Sequence, residues 1–176
     1  MADPSTLRPI RPHGDDRLFL TGQKLREGAE LMFFSYRAFT SDPDRILTER
    51  GYGRAHHRAL HFIGRRPGIS VAGLLDILGI TKQSLARVLK PLVEDGLVDS
   101  VPGEADRRQR LLTLTTEGRD FEGALSEAQR GRLSRAFREA GPEAVAGFRA
   151  VMALMIDEDE RDDILRMVHD APDASE

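Results

Sequence analysis

The sequence predicts a mostly α-helical protein with one small β-hairpin, and three observations support that fold class. Apolar residues recur at three- and four-residue steps along most of the chain, which is the period of one helix face. Residues 97–101 and 111–115 instead alternate apolar and polar side chains, as strands do. Glycine and proline divide the helical pattern into long segments near both ends and short segments in the middle.

The N-terminal part of the chain predicts one long helix. Residues 1–14 are polar and contain three prolines, so we expect a disordered arm and no secretory signal. The helical pattern then covers 15–39, and Asp15 or Asp16 can serve as its N-cap. Asp42-Pro43 interrupts the pattern before one or two further turns.

Three short helical segments follow, over 54–65, 71–78 and 82–95. Ser70 is an N-cap candidate for the second segment, and Thr81 for the third. The apolar residues of the third segment follow the i, i+3, i+4, i+7 spacing of an amphipathic helix. They are Leu85, Val88, Leu89, Leu92 and Val93.

The hairpin over 97–115 and two long helices complete the chain. Thr115 or Thr116 can cap a helix that runs to about residue 139. Gly141-Pro142 places a proline at the first position of a last helix, which we expect to reach residue 169. The order of elements, with a helix-turn-helix over 71–95 before the hairpin, is that of a winged helix-turn-helix domain between long terminal helices.

Composition and charge limit the possible functions. The net charge of the 176 residues is −3, but residues 51–120 hold 11 Lys and Arg against 8 Asp and Glu, which gives +3, and residues 121–176 hold 7 against 13, which gives −6. A basic middle keeps nucleic-acid binding possible despite the acidic total. The absence of cysteine excludes disulfides, thiolate zinc sites and thiol redox switches. No apolar run approaches the ~20 residues that span a bilayer, and we expect a cytoplasmic protein.

Four runs between residues 57 and 118 follow one another along the chain: GISVAGLLDILGIT, KQSLARVLKPLVEDGLV, ADRRQR and LLTLTTEG. Together they resemble the MarR family of transcriptional regulators. Each is weak alone, but their order and spacing are specific, and ITKQSLARVLKPL is similar to a PetP-like branch of the family. The resemblance implies a homodimer that binds double-stranded DNA at a palindromic operator. Each recognition helix would enter a major groove and each wing a minor groove. It also implies that a small-molecule effector can loosen DNA binding.

The face of the 82–95 helix opposite its apolar stripe suits a DNA duplex, and it holds no acid before Glu94. Glutamine can pair with adenine edges and arginine with guanine edges, whereas lysine and serine can hold phosphate. We expect Gln83, Ser84 and Arg87 to contact base edges and the amides near Thr81 to hold a phosphate. At the wing tip, arginine favours narrow minor grooves, and the family pattern implies that Asp106 pairs with Arg108. The predicted DNA-contacting residues are Ser70, Thr81, Lys82, Gln83, Ser84, Arg87, Lys90, Asp106, Arg107, Arg108 and Arg110.

Pro91 departs from the family pattern, in which a charged residue is usual. A proline inside a helix removes a hydrogen bond and crowds the carbonyl of Arg87. We therefore expect either a kink or a cost of about 3 kcal/mol. A kink would change how Lys90 tracks the DNA backbone.

The terminal helices are too apolar to cover only a small winged domain, so a subunit interface is expected. The predicted interface residues are Leu18, Leu25, Met32, Phe148, Met152, Ile164, Leu165 and Val168. The predicted organisation is a disordered arm over 1–14, N-terminal dimerisation helices over 15–50, a DNA-binding domain over 51–115, C-terminal dimerisation helices over 116–170 and a disordered tail over 171–176.

Other functions remain as alternatives. A winged-helix module for protein–protein assembly would keep the fold, but it would not need three arginines at the wing tip. A solvated helix face and a solvated turn are the simpler interpretations of the basic residues. No nucleophile motif or phosphate loop indicates an enzyme, and no cofactor is expected. His57 and His61 have the i, i+4 spacing of metal ligands without a third ligand, and residues 157–163 lack the calcium-loop pattern.

Overall fold

The computed structural model describes residues 20–104 and 106–169. The predicted arm, the cap candidates Asp15 and Asp16, the interface candidate Leu18 and the predicted tail lie outside the described residues. The elements in the described part are α1 (Gly22–Ser41), α2 (Asp44–Glu49), α3 (Arg54–Arg65), β1 (Ile69–Ser70), α4 (Val71–Leu78), α5 (Lys82–Glu94), β2 (Val98–Pro102), β3 (Arg110–Leu114), α6 (Thr116–Leu154) and α7 (Glu158–His169).

The three strands form an antiparallel sheet in the order β1-β3-β2. The predicted hairpin is β2 and β3, which pair from Val98 with Leu114 to Pro102 with Arg110. The strand β1 was not expected, because two residues are too short to show an alternating pattern. It pairs with Leu112 and Leu111 of β3 and so ties the start of the helix-turn-helix to the wing.

One hydrophobic core holds the middle of the chain together. It is built from every element between α2 and the first turns of α6. Fully buried members are Leu47, Leu60, Ile63, Leu74, Leu85, Leu92, Leu97, Leu112 and Leu125. Because α6 contributes Leu125 to this core and then continues beyond it, the helix physically joins the winged domain to the C-terminal part.

The long first helix begins later than the sequence predicted. The side chain of Thr21 accepts a hydrogen bond from the Lys24 amide at 3.3 Å, and α1 starts at Gly22. The expected start at residue 15 is therefore wrong, since Thr21 supplies the N-cap that was assigned to Asp15 or Asp16. No residue of α1 is buried within the chain.

The C-terminal part bends where expected and breaks once more. Gly141 has φ 81° and ψ 168°, so α6 changes direction at the predicted Gly141-Pro142 step. The expectation of one last helix to residue 169 is wrong, because α6 ends at Leu154 and α7 begins at Glu158. The Arg161 guanidinium donates to the carbonyls of Leu154 (3.3 Å) and Ile156 (2.9 Å) and so satisfies the end of α6. Three acidic residues in the first turn of α7 favour a new helix start there.

Within residues 20–104 and 106–169, no helix has both the length and the apolar composition needed to cross a membrane.

Candidate nucleic-acid interface

Two local caps position the helix-turn-helix, and both were predicted. The Ser70 hydroxyl accepts a hydrogen bond from the Gly73 amide at 3.0 Å, which starts α4. Gly79 ends α4 in the left-handed region, with φ 59° and ψ 34°, where a glycine has no steric penalty. The Thr81 hydroxyl accepts from the Ser84 amide at 3.2 Å and starts α5. The two helices therefore meet through a short turn whose geometry is set by these side chains.

The buried side of α5 determines which residues face solvent. Leu85 and Leu92 are completely buried, and Val88 and Leu89 retain less than a tenth of their exposure. The polar residues on the other side of the helix are all exposed, which matches the expected orientation of this face. This exposed row consists of Lys82, Gln83, Ser84, Arg87 and Lys90.

A hydrogen bond between two hydroxyls defines what Ser84 can offer to a ligand. The Thr81 hydroxyl donates to the Ser84 Oγ at 2.9 Å. Because Ser84 accepts this bond, its own hydroxyl hydrogen remains to be donated outward. Ser84 thus suits an acceptor such as a phosphate oxygen or a base carbonyl. Its neighbours Lys82 and Gln83 occupy the first helical turn, where backbone amides favour an anion.

The last turn of α5 contains Pro91, and the helix continues through it to Glu94. The Asp95 amide donates to the Pro91 carbonyl at 2.9 Å, so the end of the helix is closed normally. The proline stands near the C-terminus of the helix, where only the turn before it loses a hydrogen bond. The Lys90 Nζ lies 3.8 Å from the Glu94 Oε1, and both side chains are exposed, so this ion pair contributes little to stability. Lys90 can therefore easily exchange Glu94 for another anion.

Backbone hydrogen bonds close the tip of the wing. The Gly103 amide donates to the Gln109 carbonyl at 2.9 Å, and the Gln109 amide donates to the Asp106 carbonyl at 3.0 Å. The Asp106 carboxylate accepts from the backbone amide of Arg108 at 2.9 Å. The family pattern implied that Asp106 pairs with Arg108, and in the structure its carboxylate holds the Arg108 backbone amide, which leaves the Arg108 side chain unbound by Asp106. The side chains of Arg107 and Arg108 are exposed on the resulting turn.

Arg110 contacts its own wing. Its Nε donates to the Ser100 hydroxyl at 3.1 Å, and its terminal nitrogen donates to the Ser100 carbonyl. The guanidinium therefore crosses from β3 to β2 and stiffens the hairpin behind the tip. The contact with Ser100 could not be predicted from the sequence, because the register of the hairpin must be known before the two residues can be paired. The predicted contact of Arg110 with DNA stays a prediction.

Tyr52 anchors the exit of α5, and sequence reasoning missed it. Its hydroxyl donates to the Asp95 carboxylate at 2.5 Å, where Asp95 is the C-cap of α5. Burial of the ring, followed by this hydrogen bond, raises the pKa of Tyr52 to about 12. The only available signal was an aromatic residue between Gly51 and Gly53 at the entry to α3.

The terminal helices leave large apolar side chains uncovered. Among the predicted interface residues, the exposed fractions are 58% for Leu25, 44% for Met32, 47% for Phe148, 44% for Met152 and 59% for Val168. Ile164 and Leu165 are half-buried. Further exposed apolar residues on α1 and the end of α6 extend this surface: Leu31, Phe33, Phe34, Tyr36, Val151, Leu154 and Met155. An apolar surface of this extent is unusual for an isolated soluble chain.

Comparisons with known proteins agree with this architecture. The MarR family model matches residues 50–109. The chain is similar to the HTH-type transcriptional regulator PetP of Rhodobacter capsulatus, with 58% identity over 146 residues that cover 83% of this chain and 88% of that protein. In fold it is similar to Streptococcus pneumoniae FabT, solved in complex with DNA, with a TM-score of 0.67, 18% identity and coverage of 77% of this chain and 94% of that chain. It is also similar in fold to a SlyA-like transcription regulator from Listeria monocytogenes, with a TM-score of 0.61, 20% identity and coverage of 80% and 93%. The chain therefore belongs to the MarR family of transcriptional regulators.

Proposed function

We propose that this chain is a cytoplasmic, homodimeric, sequence-specific DNA-binding regulator that acts as a repressor. The observation that carries the proposal is the exposed row of α5, which is free of acids up to Glu94, next to a wing whose tip exposes Arg107 and Arg108. Both surfaces are attached to the same hydrophobic core, so they are held in a fixed relation. FabT, which shares the fold, was solved in complex with DNA.

Each part of this surface has a distinct role in the proposal. The first turn of α5 enters the major groove, where Gln83 and Arg87 contact adenine and guanine edges. Ser84 donates to a base or phosphate acceptor, and Lys82 holds the backbone. Arg108 reaches into the minor groove, where narrow A·T-rich segments have the most negative potential. Arg110 supports the wing through Ser100.

The apolar surface of α1, the end of α6 and α7 supports the homodimer. Burying this surface against a second copy stabilises the pair in proportion to the apolar area removed from water. A two-fold dimer presents two α5 helices, and it would match a palindromic site with half-sites about 34–36 Å apart. A repressor needs no further contact, because a dimer on a promoter excludes polymerase by occupying the site.

A cavity supports ligand response as part of this proposal. It has a volume of about 270 Å³ and lies between α1, α3 and α6. Aromatic side chains line one side of it, and α3 contributes Arg54, His57, Arg58 and His61. The cavity lies between α3 of the winged domain and the terminal helices α1 and α6. An occupant could therefore change the angle between the winged domain and these helices.

The decisive experiment is selection of bound sequences from a random duplex pool by the full chain. We expect an enriched palindrome with half-sites one helical turn apart and protection of both halves in a footprint. Affinity for the selected site should fall steeply with salt, with a log–log slope of about −0.9 per phosphate contact. Recovery of no enriched sequence, or of a motif without two-fold symmetry, would refute the proposed function.

A further inference from the structure

A cluster of titratable side chains lies at the contact between α3 and α6. His57 and His61 are one turn apart on α3, and both face the first half of α6. The His61 Nδ1 is 3.1 Å from the Glu122 carboxylate. The same carboxylate oxygen accepts a hydrogen bond from the Ser126 hydroxyl. Two elements of the protein are thus joined by one polar contact at an otherwise apolar boundary.

His57 is the buried member of this cluster. It retains 7% of its exposure, and its Nε2 is buried without a hydrogen-bond partner among the described residues. It also borders the cavity between α1, α3 and α6. Nearly all buried polar atoms in folded proteins have a hydrogen-bond partner, so an unpartnered one in this position is unusual.

Charged groups of both signs surround His57. From α3, Arg54 and Arg58 line the same cavity, and His61 is one turn away. From α2, Asp44 is already held by Arg54 through hydrogen bonds of 2.7 and 3.0 Å. From α6, Glu122 is held by His61 and Ser126, and from α1, the cavity receives the phenol of Tyr36.

These surroundings set the direction of each pKa. Burial, and then the charge of His61, lower the pKa of His57 below its usual value, although Glu122 and Asp44 partly oppose this. Burial alone would raise the pKa of Glu122, but hydrogen bonds from His61 and Ser126 hold it below its usual value. Both directions favour a neutral His57 beside an ionised Glu122.

We propose that His57 and the His61–Glu122 pair form a proton-sensitive latch between α3 and α6, closed when His57 is neutral and opened when it is protonated. This latch rests on the proposed DNA-binding function for its effect on DNA affinity. The closed state holds the winged domain at the angle that DNA binding requires. Acidification opens the contact and lowers affinity for the operator.

The packing next to the cluster explains how one proton acts on the whole helix. A Cβ at Gly64 would lie 2.9 Å from the Leu114 Cδ1, so α3 packs directly against the Leu114 side chain of β3. Separation of α3 and α6 widens the cavity that His57 borders and lets water hydrate the added charge. Because α6 continues from the core to the terminal helices, a small change at this contact alters the angle of the winged domain. In a dimer that angle sets the spacing of the two α5 helices.

The sign of the effect follows from proton linkage. A histidine whose pKa is lowered in the folded state binds fewer protons there than in the unfolded chain. The stability that neutral His57 contributes is complete at pH values above 6.5, which is the pKa of histidine in the unfolded chain. It is lost as the pH falls below 6.5 and through the lowered pKa of His57 in the folded chain. The same relation applies between the closed and open states. One linked proton changes an equilibrium constant by at most about tenfold per pH unit.

The test compares the wild-type chain with His57→Gln and His57→Phe at pH 7.5, 6.5 and 5.5 and constant ionic strength. His169→Gln, at the exposed end of α7, is the matched control for a histidine outside the latch. Affinity for the selected operator and urea unfolding without DNA are measured for each chain. His57→Phe keeps a ring in the same space without a titrating group, so it serves if His57→Gln folds poorly.

We expect wild-type and His169→Gln affinities to fall about three- to tenfold from pH 7.5 to 5.5, and both His57 variants to change less than about twofold. The wild-type unfolding constant should rise on acidification by a larger factor than that of His57→Phe. Equal pH dependence in the wild type and the His57 variants, in affinity or in unfolding, would overturn the latch. If no chain binds any duplex at pH 7.5, the proposed function fails, and the unfolding comparison alone decides the latch.

Discussion

Replacing Gly118 by alanine tests how the wing is joined to α6. A Cβ at this position would lie 2.0 Å from the Leu97 carbonyl oxygen and 2.9 Å from its carbon. Both are backbone atoms, so no side-chain rotation can relieve the contact. The Leu97 carbonyl also accepts from the Thr115 amide at 3.1 Å, and the Thr115 hydroxyl accepts from the Gly118 amide at 3.0 Å. Moving α6 away would break its own N-cap.

The expected magnitude follows from three contributions. Overpacking of a rigid site costs about 1–3 kcal/mol. Weakening of the N-cap adds about 1 kcal/mol. The gain in helix propensity from glycine to alanine offsets about 1 kcal/mol. Gly118→Ala should therefore lower the free energy of unfolding by roughly 1–3 kcal/mol.

Gly123 provides a matched control on the same helix. A Cβ there meets no atom within 4 Å, so Gly123→Ala should gain only helix propensity and raise the free energy of unfolding by up to about 1 kcal/mol. Both variants are measured by urea unfolding at one fixed chain concentration, because association of two chains would make stability concentration-dependent.

The comparison can refute the reasoning directly. If Gly118→Ala and Gly123→Ala are both at least as stable as the wild type, the close approach of α6 to Leu97 does not exist in solution. The same result would remove the basis for treating the wing and α6 as one rigid unit. A shared loss of stability in both variants would instead show that α6 tolerates no added side chain.

Three further predictions address separate parts of the molecule. Arg108→Ala should weaken operator binding by about 1–3 kcal/mol without changing the sedimentation of the protein, whereas Arg138→Ala on α6 should have little effect; equal affinity of the two variants would reject the assignment of the wing. Tyr52→Phe should be less stable than the wild type by about 1–3 kcal/mol at pH 8. This difference should vanish as the pH rises from 10 to 12, because tyrosine loses its proton at a lower pH in the unfolded chain than in the folded one. A difference in unfolding free energy that stays constant across that range would contradict this prediction. Leu60→Ala, at a completely buried site, should cost about 2–5 kcal/mol in urea unfolding, and a smaller cost would show that the core relaxes there.

Features that depend on neighbouring residues could be predicted from the sequence. The caps at Ser70 and Thr81 are satisfied three residues further on, so their side-chain chemistry is visible locally. The bend at Gly141-Pro142 is similarly local, because glycine permits the positive φ and proline starts the next helix. The face of α5 that points outward followed from the apolar stripe on its other side.

Features that depend on distant residues could not be predicted. Tyr52 meets Asp95 across 43 positions, and nothing in either local pattern indicates the partner. The strand β1 exists only because β3 supplies its hydrogen bonds. The sequence shows Gly118 within the run LLTLTTEG. A glycine is needed there because the Leu97 backbone approaches closely, and only the folded structure shows that approach. The break before α7 was missed because Arg161 satisfies carbonyls that precede it by several residues.

The net charge of −3 does not oppose DNA binding, because the charges are unevenly distributed along the chain. Residues 51–120 carry a net charge of +3, and residues 121–176 carry one of −6. The helix α5 packs its apolar face on the core that includes α3, so its basic row faces solvent on the opposite side. A duplex on that row meets local positive charge, because solvent ions screen exposed charges that lie farther away than about 8 Å at physiological salt. Raising the salt should therefore weaken the attraction between this row and the duplex.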